Sequence, residues 1–78
     1  MDIKERLQEV FRDVFDDETI TIFEEMTSND IDEWDSLSHV QLIVAVEKKF
    51  NVRFKIAEIH NLAYVRDFIN LLDQKLNM

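Results

Sequence analysis

Ser36 is the residue of this chain best placed for covalent chemistry, because it stands in the segment Trp34-Asp35-Ser36-Leu37 after an acidic stretch. Apolar residues follow it at helical spacing, so its hydroxyl is expected at the start of a helix. His39 lies three residues further on, where it can face Ser36 on the same helix. A serine and a histidine at this spacing suggest a nucleophile with its general base.

Three features weigh against a hydrolase built on Ser36 and His39. No third group is apparent that would orient the histidine, and a chain without glycine lacks the usual turn for an oxyanion hole. At 78 residues the chain forms one small domain with little room for a substrate cleft. His39 is therefore predicted to be a partly buried histidine. Ser36 is predicted to be modified by another enzyme, at a helix N-terminus that favours an attached phosphodiester.

Composition limits the partners and the compartment of this chain. Its net charge is −8, and 13 of its 17 acidic residues precede Ser36. This charge disfavours nucleic acid and anionic membranes and favours basic protein surfaces. The sequence has no cysteine, no apolar run that could span a bilayer and no signal-peptide pattern at its start. We therefore expect a cytoplasmic protein without membrane insertion.

The patterns that could indicate a metal site are incomplete. Segment 30–35 has three aspartates spaced as at the opening of a calcium loop, but Asp35 and Gln41 replace the glycine and glutamate which that loop requires. His39 and His60 have no companions at the spacing of zinc ligands. No metal site is expected.

Hydrophobic spacing predicts an all-α fold, a four-helix bundle of three longer helices and one short helix. The predicted helices cover residues 3–15, 36–50, 56–61 and 65–76. Asp2 and Asp35 are the expected N-caps of the first two helices. A long loop separates these two helices, and its apolar residues are expected to attach it to the core: Ile20, Ile22, Phe23, Met26 and Ile31.

The second predicted helix has two apolar faces, whereas a surface helix normally has one. One face is expected to join the core and comprises Leu42, Ile43, Val46 and Phe50. The other, which we call the apolar stripe, adjoins the serine and comprises Leu37, Val40 and Val44. Either this is a central helix packed on both sides, or the apolar stripe is a docking surface for partner proteins.

These features together resemble those of acyl carrier proteins, over essentially all of the chain. The similarity includes the length, the acidity, the long loop and Asp35-Ser36-Leu37 near the middle. It continues in the apolar pattern of the second helix and in the closing helix after Leu62. The resemblance implies one acyl-carrier-type domain over residues 1–78.

In that family the serine of the motif receives a covalent 4′-phosphopantetheine arm from coenzyme A, and the matching residue is Ser36. The resemblance implies a monomeric carrier rather than an enzyme, with an acyl or aminoacyl group held on the arm as a thioester. Its partners would be a magnesium-dependent phosphopantetheinyl transferase and the enzymes that load and transfer the acyl group. The implied partner-docking residues are Asp35, Leu37, Val40, Val44 and Glu47. The implied acyl-pocket residues are Val46, Phe50, Phe54 and Leu62.

The chain departs from the usual fatty-acid carriers at several positions. Glu33 stands where those carriers have glycine, and neutral or basic residues replace common acids at Ser38, Gln41, Lys48 and Lys49. The resemblance is therefore to carriers dedicated to a specialised pathway rather than to bulk fatty-acid synthesis. Peptidyl carriers more often have Gly-Gly-His-Ser in place of Glu-Trp-Asp-Ser. The alternative function is a helical protein–protein adaptor that lacks the prosthetic group.

Overall fold

A computed structural model describes residues 2–76 as four helices joined by loops, with no strand in that range. The helices are α1 (Ile3–Phe15), α2 (Ser36–Phe50), α3 (Ile56–His60) and α4 (Val65–Leu76). The predicted all-α class and helix order are confirmed, and α3 ends one residue earlier than predicted. In residues 2–76, no helix has both the length and the apolar composition that crossing a membrane requires.

Short polar side chains set the ends of α1 and α2. Asp2 Oδ1 and Asp35 Oδ1 each accept a backbone N–H from the first turn of their helix, at 3.3 Å and 2.9 Å. Both predicted N-caps thus satisfy donors that have no partner inside the helix. Each helix ends on a residue in the left-handed conformation, Asp16 at φ 50° and Asn51 at φ 55°. Glycine usually occupies this position, and Asp and Asn adopt the conformation more readily than other side chains.

The core lies where α1, α2 and α4 face one another. The buried helical residues are Leu7, Val10 and Phe11 of α1, Leu42, Ile43, Val46 and Phe50 of α2, and Val65, Phe68 and Leu72 of α4. The predicted core face of α2 is therefore buried in full. By contrast, α3 has no buried residue, and an ion pair between Glu58 Oε1 and Lys75 Nζ, 3.0 Å long, joins it to α4.

The long loop between α1 and α2 is attached to the core by its own apolar side chains. Four of the five predicted anchors are buried: Ile20, Ile22, Met26 and Ile31. The prediction was wrong for Phe23, which is 43% exposed. Neighbouring side chains of an extended segment point in opposite directions, so the burial of Ile22 directs Phe23 outward.

Polar contacts hold the same loop against α1 and α4. Arg12 Nε donates to Ile20 O at 2.7 Å, and Gln8 Oε1 accepts the Ile22 N–H at 3.1 Å. Two carbonyl groups of the loop also accept N–H groups from the first turn of α4, at 2.9 Å and 3.0 Å. The loop therefore satisfies backbone donors at the start of α4, which ties its path to the position of that helix.

We predict that Ile22→Ala lowers the free energy of unfolding by about 2–5 kcal/mol, because it leaves a cavity where a fully buried side chain was. Its neighbour provides the matched control: Phe23→Ala should change the same quantity by less than about 1 kcal/mol, since an exposed side chain loses little packing. Urea unfolding followed by circular dichroism measures both variants. Equal losses would contradict the anchoring of the loop through Ile22.

Candidate functional site

Ser36 is the first residue of α2, and its side chain is exposed. The neighbouring carboxylate is directed elsewhere, because Asp35 Oδ1 accepts the Ser38 N–H. Within residues 2–76, Ser36 Oγ takes part in no hydrogen bond. The hydroxyl is thus accessible to a second protein and is hydrogen-bonded to no base in that range.

Asp35 places a negative charge beside Ser36. The hydrogen bonds that its carboxylate accepts from Ser38 hold the pKa of Asp35 below its usual value, so this side chain is ionised at neutral pH. Ser38 Oγ in turn donates to Glu33 O at 2.6 Å. Hydrogen bonds from Ser38 to Asp35 and to Glu33 therefore join the start of α2 to the end of the loop, and they fix the direction in which α2 begins.

An open cleft of about 440 Å³ adjoins the serine. The residues that line it are Ser28, Trp34, Asp35, Ser36, His39, Leu62 and Ala63. The expectation that so short a chain lacks a cleft was wrong. Two parts of the chain that are distant in sequence meet here: the long loop with the first turn of α2, and the connection before α4. Only their packing creates the cleft, and no local pattern in the sequence indicates it.

Trp34 and His39 form a hydrogen-bonded and stacked pair in this cleft. Trp34 Nε1 donates to His39 Nδ1 at 3.0 Å, and the two rings are 6.0 Å apart at an angle of 19°. His39 also contacts the edge of Phe68, with ring centroids 6.1 Å apart. The expectation that no group orients the histidine was therefore wrong. The sequence did not indicate this contact, because Trp34 precedes α2 and helical periodicity does not relate it to His39.

This hydrogen bond determines which nitrogen of His39 bears the proton. The indole N–H of Trp34 is only a donor, so His39 Nδ1 must be the acceptor and the neutral ring carries its hydrogen on Nε2. Partial burial lowers the pKa of His39, which favours this neutral form. His39 is partly buried, as predicted. Neither nitrogen is then free to take a proton from Ser36, which is a further argument against the hydrolase hypothesis.

The apolar stripe of α2 lies in solvent. Leu37, Val40 and Val44 are 69%, 59% and 43% exposed, so the interpretation of α2 as a central helix packed on both sides is wrong. Glu47, the other predicted docking residue on this helix, is half-buried, and its Oε2 accepts the Phe54 N–H at 2.8 Å. Glu47 thus holds the α2–α3 connection, and it lies three turns from the serine. The docking role of these residues remains a prediction.

The four residues predicted to line an acyl pocket are all buried in the core: Val46, Phe50, Phe54 and Leu62. They belong to one continuous apolar cluster together with residues of α1 and α4. Leu62 also lines the cleft beside Ser36. It therefore connects the surface at the serine with the apolar interior. The holding of an acyl chain by these residues remains a prediction.

The acidic segment 30–35 is occupied by local backbone contacts. Asp30 Oδ2 accepts the Thr27 N–H at 2.9 Å, and Asp35 caps α2. In the part of the chain that the structure describes, no three or more His, Asp or Glu side chains are grouped so as to hold a metal ion. Two of the three aspartates in the calcium-like pattern thus stabilise turns and a helix start.

The fold as a whole resembles that of proteins of known structure, and ten such chains are similar to it. One is the holo acyl carrier protein from Geobacter metallireducens, determined in solution by NMR. The two chains are 43% identical with a TM-score of 0.91, and the match covers 99% of this chain and 88% of that one. The chain belongs to the acyl carrier protein family. No family model and no curated protein matches it.

As an acyl carrier protein, the chain is a carrier and not an enzyme. The surroundings of Ser36 agree with the role of a carrier. The serine is exposed, its Oγ has no hydrogen-bond partner within residues 2–76, and the nearby His39 is already bonded to Trp34. The site of this acyl carrier protein therefore presents a hydroxyl group and does not activate it.

We predict that acidification from pH 7.5 to pH 5 destabilises this acyl carrier protein through His39. The pKa of His39 is lowered in the folded state, whereas in the unfolded chain it is about 6.5, so the unfolded state binds more protons in this range. Protonation also turns Nδ1 into a donor and breaks the bond from Trp34. The free energy of unfolding should be fully retained above pH 7 and fall as the pH decreases through the unfolded and then the folded pKa.

The variant His39→Gln should flatten this dependence, because an amide oxygen can accept the indole N–H without titrating. The matched control His60→Gln changes the exposed histidine of α3 and should keep the wild-type slope. The carboxyls with lowered pKa values, Asp17, Asp35 and Glu58, titrate at lower pH and are common to all three proteins. Urea unfolding at each pH gives the slopes, and an unchanged slope in His39→Gln would contradict the prediction.

Proposed function

We propose that this acyl carrier protein carries an acyl or aminoacyl group as a thioester on a 4′-phosphopantetheine arm bonded to Ser36 Oγ. We further propose that it does so as one domain spanning residues 1–78. The observation that carries the proposal is the exposed, unpartnered Ser36 hydroxyl at the start of α2. The similar protein from Geobacter metallireducens supports it, since that protein is a holo acyl carrier protein.

The residues around Ser36 fit the attachment of such an arm. The start of a helix is favourable for a phosphodiester because backbone N–H dipoles point toward it. A phosphopantetheinyl transferase would supply coenzyme A, magnesium and the base that Ser36 lacks. The arm supplies a terminal thiol for the acyl group, and since the sequence has no cysteine, that thiol has no protein thiol with which to form an internal disulfide.

We propose that partner enzymes dock on the apolar stripe, with Asp35 and Glu47 marking its two ends. The three exposed side chains of the stripe lie on the serine-bearing helix, so a partner seated there would face the arm. Glu47 is the one carboxylate within α2, and its hydrogen bond to Phe54 already engages it. Recognition would then rest more on apolar contact than on attraction to a strongly basic partner.

The scarcity of acidic residues on α2 supports the proposal of a specialised pathway rather than bulk fatty-acid synthesis. The first turn of α2 contains no acidic residue, and its last turn contains Lys48 and Lys49. Lys49 Nζ pairs with Glu9 Oε2 of α1 at 3.2 Å, while Lys48 remains exposed on the helix. An enzyme with a large basic patch would meet little complementary charge on this helix. We propose acyl- or aminoacyl-loading enzymes whose docking surfaces are mainly apolar.

We also propose that a tethered acyl chain is held by the predicted pocket residues Val46, Phe50, Phe54 and Leu62. Leu62 supports this path because it belongs both to the cleft and to the core. An entering chain would have to displace packed side chains, so short acyl groups should be accommodated more easily than long ones. The monomeric state is proposed on the net charge of −8, which opposes self-association.

The first test is attachment of the arm. Incubation with coenzyme A and a broad-specificity phosphopantetheinyl transferase should raise the intact mass of the protein by the mass of one phosphopantetheine group. Ser36→Ala should abolish the gain. Ser38→Ala is the matched control, because this second serine of the same turn should leave the gain unchanged. A protein that gains no mass, or gains it without Ser36, would contradict the proposed attachment.

The second test concerns the apolar stripe. Val44→Glu should slow loading by the transferase about tenfold or more, because it places a charge in a contact that must lose water. Phe23→Glu is the matched control, since Phe23 and Val44 are both 43% exposed but lie on different elements. Stopped-flow or timed mass measurements give the loading rates, and unfolding curves verify that both variants are folded. Similar rates for the two variants would argue against the stripe as a docking surface.

The same variants distinguish the adaptor that lacks an arm. This alternative rests on the exposed stripe alone and predicts that Ser36→Ala leaves partner binding intact while Val44→Glu abolishes it. The carrier proposal predicts instead that Ser36→Ala abolishes acyl transfer in the presence of an intact stripe. Measuring partner binding and acyl transfer on the same two variants separates the two functions.

A further inference from the structure

The Nε2–H group of His39 is a hydrogen-bond donor that has no acceptor among the described residues 2–76. Its ring is held by Trp34 on one side and by the edge of Phe68 on another. Within residues 2–76, the His39 side chain makes one hydrogen bond, the one that Nδ1 accepts from Trp34. This N–H group, whose direction the ring contacts fix, is therefore available to a bound group.

This donor must reach the surface. No side-chain nitrogen or oxygen that is fully buried lacks a hydrogen-bond partner in the described part of the chain. Since Nε2 has no partner, it is open to solvent. The His39 side chain lines the cleft of about 440 Å³ that also contains Ser36. His39 and the residue proposed for attachment therefore line one surface depression.

The chemistry of the cleft narrows the class of acceptor. The ionised Asp35 carboxylate lines it and disfavours a free anion there, whereas a phosphodiester at Ser36 would be held covalently. His39 is neutral in its bond with Trp34, so its Nε2–H suits a neutral oxygen better than a charged one. Trp34 and Leu62, each 5% exposed, and the exposed Ala63 add a small apolar surface to the cleft. The cleft thus combines one neutral donor with an apolar wall, which matches an amide next to methyl groups.

We propose that the cleft is a resting site for the pantetheine arm, in which His39 Nε2–H donates to an amide carbonyl oxygen of the arm and Trp34 contacts its paired methyl groups. The proposal rests on the attachment at Ser36 and extends it to the unloaded arm. His39 acts here as a binding residue, and Trp34 acts partly through His39 by fixing the position of its proton. No bond is made or broken in this site.

The test uses the complete chain in its apo and holo forms, with loading of the holo form established by intact mass. In ¹⁵N-labelled protein, two-bond proton–nitrogen spectra should show His39 protonated on Nε2 in both forms. Loading should shift the His39 Nε2 and Trp34 Nε1 signals and leave those of the exposed His60 unchanged. Nuclear Overhauser contacts should join the methyl groups of the arm to the indole ring of Trp34.

Two variants make the assignment specific. His39→Phe keeps a ring against Phe68 but removes the donor, so the contacts between the arm and Trp34 should be lost. His60→Phe is the matched control and should retain them. The contacts of the arm are compared only in samples whose intact mass shows complete loading. A failure to load is seen in the mass and would count against attachment at Ser36, not against the resting site.

Two results would overturn the proposal in a protein that is fully loaded. In one, the His39 and Trp34 signals move no more on loading than those of His60. In the other, the pKa of His39 rises on loading and the ³¹P signal follows its titration, which would make the phosphodiester the acceptor in place of the carbonyl. The expected result is a shifted His39 signal without a rise in its pKa.

Discussion

The burial of Trp34 is the constraint on which the serine site depends. Trp34 is the last residue but one before α2, and its indole ring packs edge-on against Phe11 with ring centroids 5.3 Å apart. Phe11 also contacts Phe68 of α4, so the end of the long loop is inserted where α1 and α4 meet. Asp35 and Ser36 follow at once in the chain. The anchored indole thus sets where α2 starts and leaves the next side chain outside the core.

Much of the fold could be predicted because local chemistry determines it. Apolar residues at helical spacing located the three longer helices, and the carboxylates of Asp2 and Asp35 located two of the helix starts. The two faces of α2 also followed from spacing, although the sequence left open whether its second face was buried. Whether that face is buried depends on how much apolar surface the other helices and the loops can pack against, and in this chain the apolar stripe stays exposed.

What could not be predicted arises from contacts between residues distant in sequence or on different elements. The cleft needs the loop, α2 and the segment before α4 at once, and no single segment contains its pattern. The bond from Trp34 to His39 joins an irregular residue to a helical one, so periodicity does not indicate it. The bond that the Glu47 carboxylate accepts from the Phe54 N–H likewise joins α2 to the following connection, and helical spacing does not indicate it. Phe23 was expected in the core because it is apolar, but the burial of the adjacent Ile22 directs it into solvent.

The left-handed ends of α1 and α2 have a consequence for the speed of folding. Asp16 and Asn51 make these turns in a sequence that has neither glycine nor proline. No X–Pro bond is present, so the slow isomerisation that delays the refolding of many proteins by tens of seconds has no source in this sequence. Four helices with mostly local contacts also favour a fast search for the native topology. A carrier opened by a partner enzyme could therefore close again quickly after each encounter, without waiting for a backbone bond to isomerise.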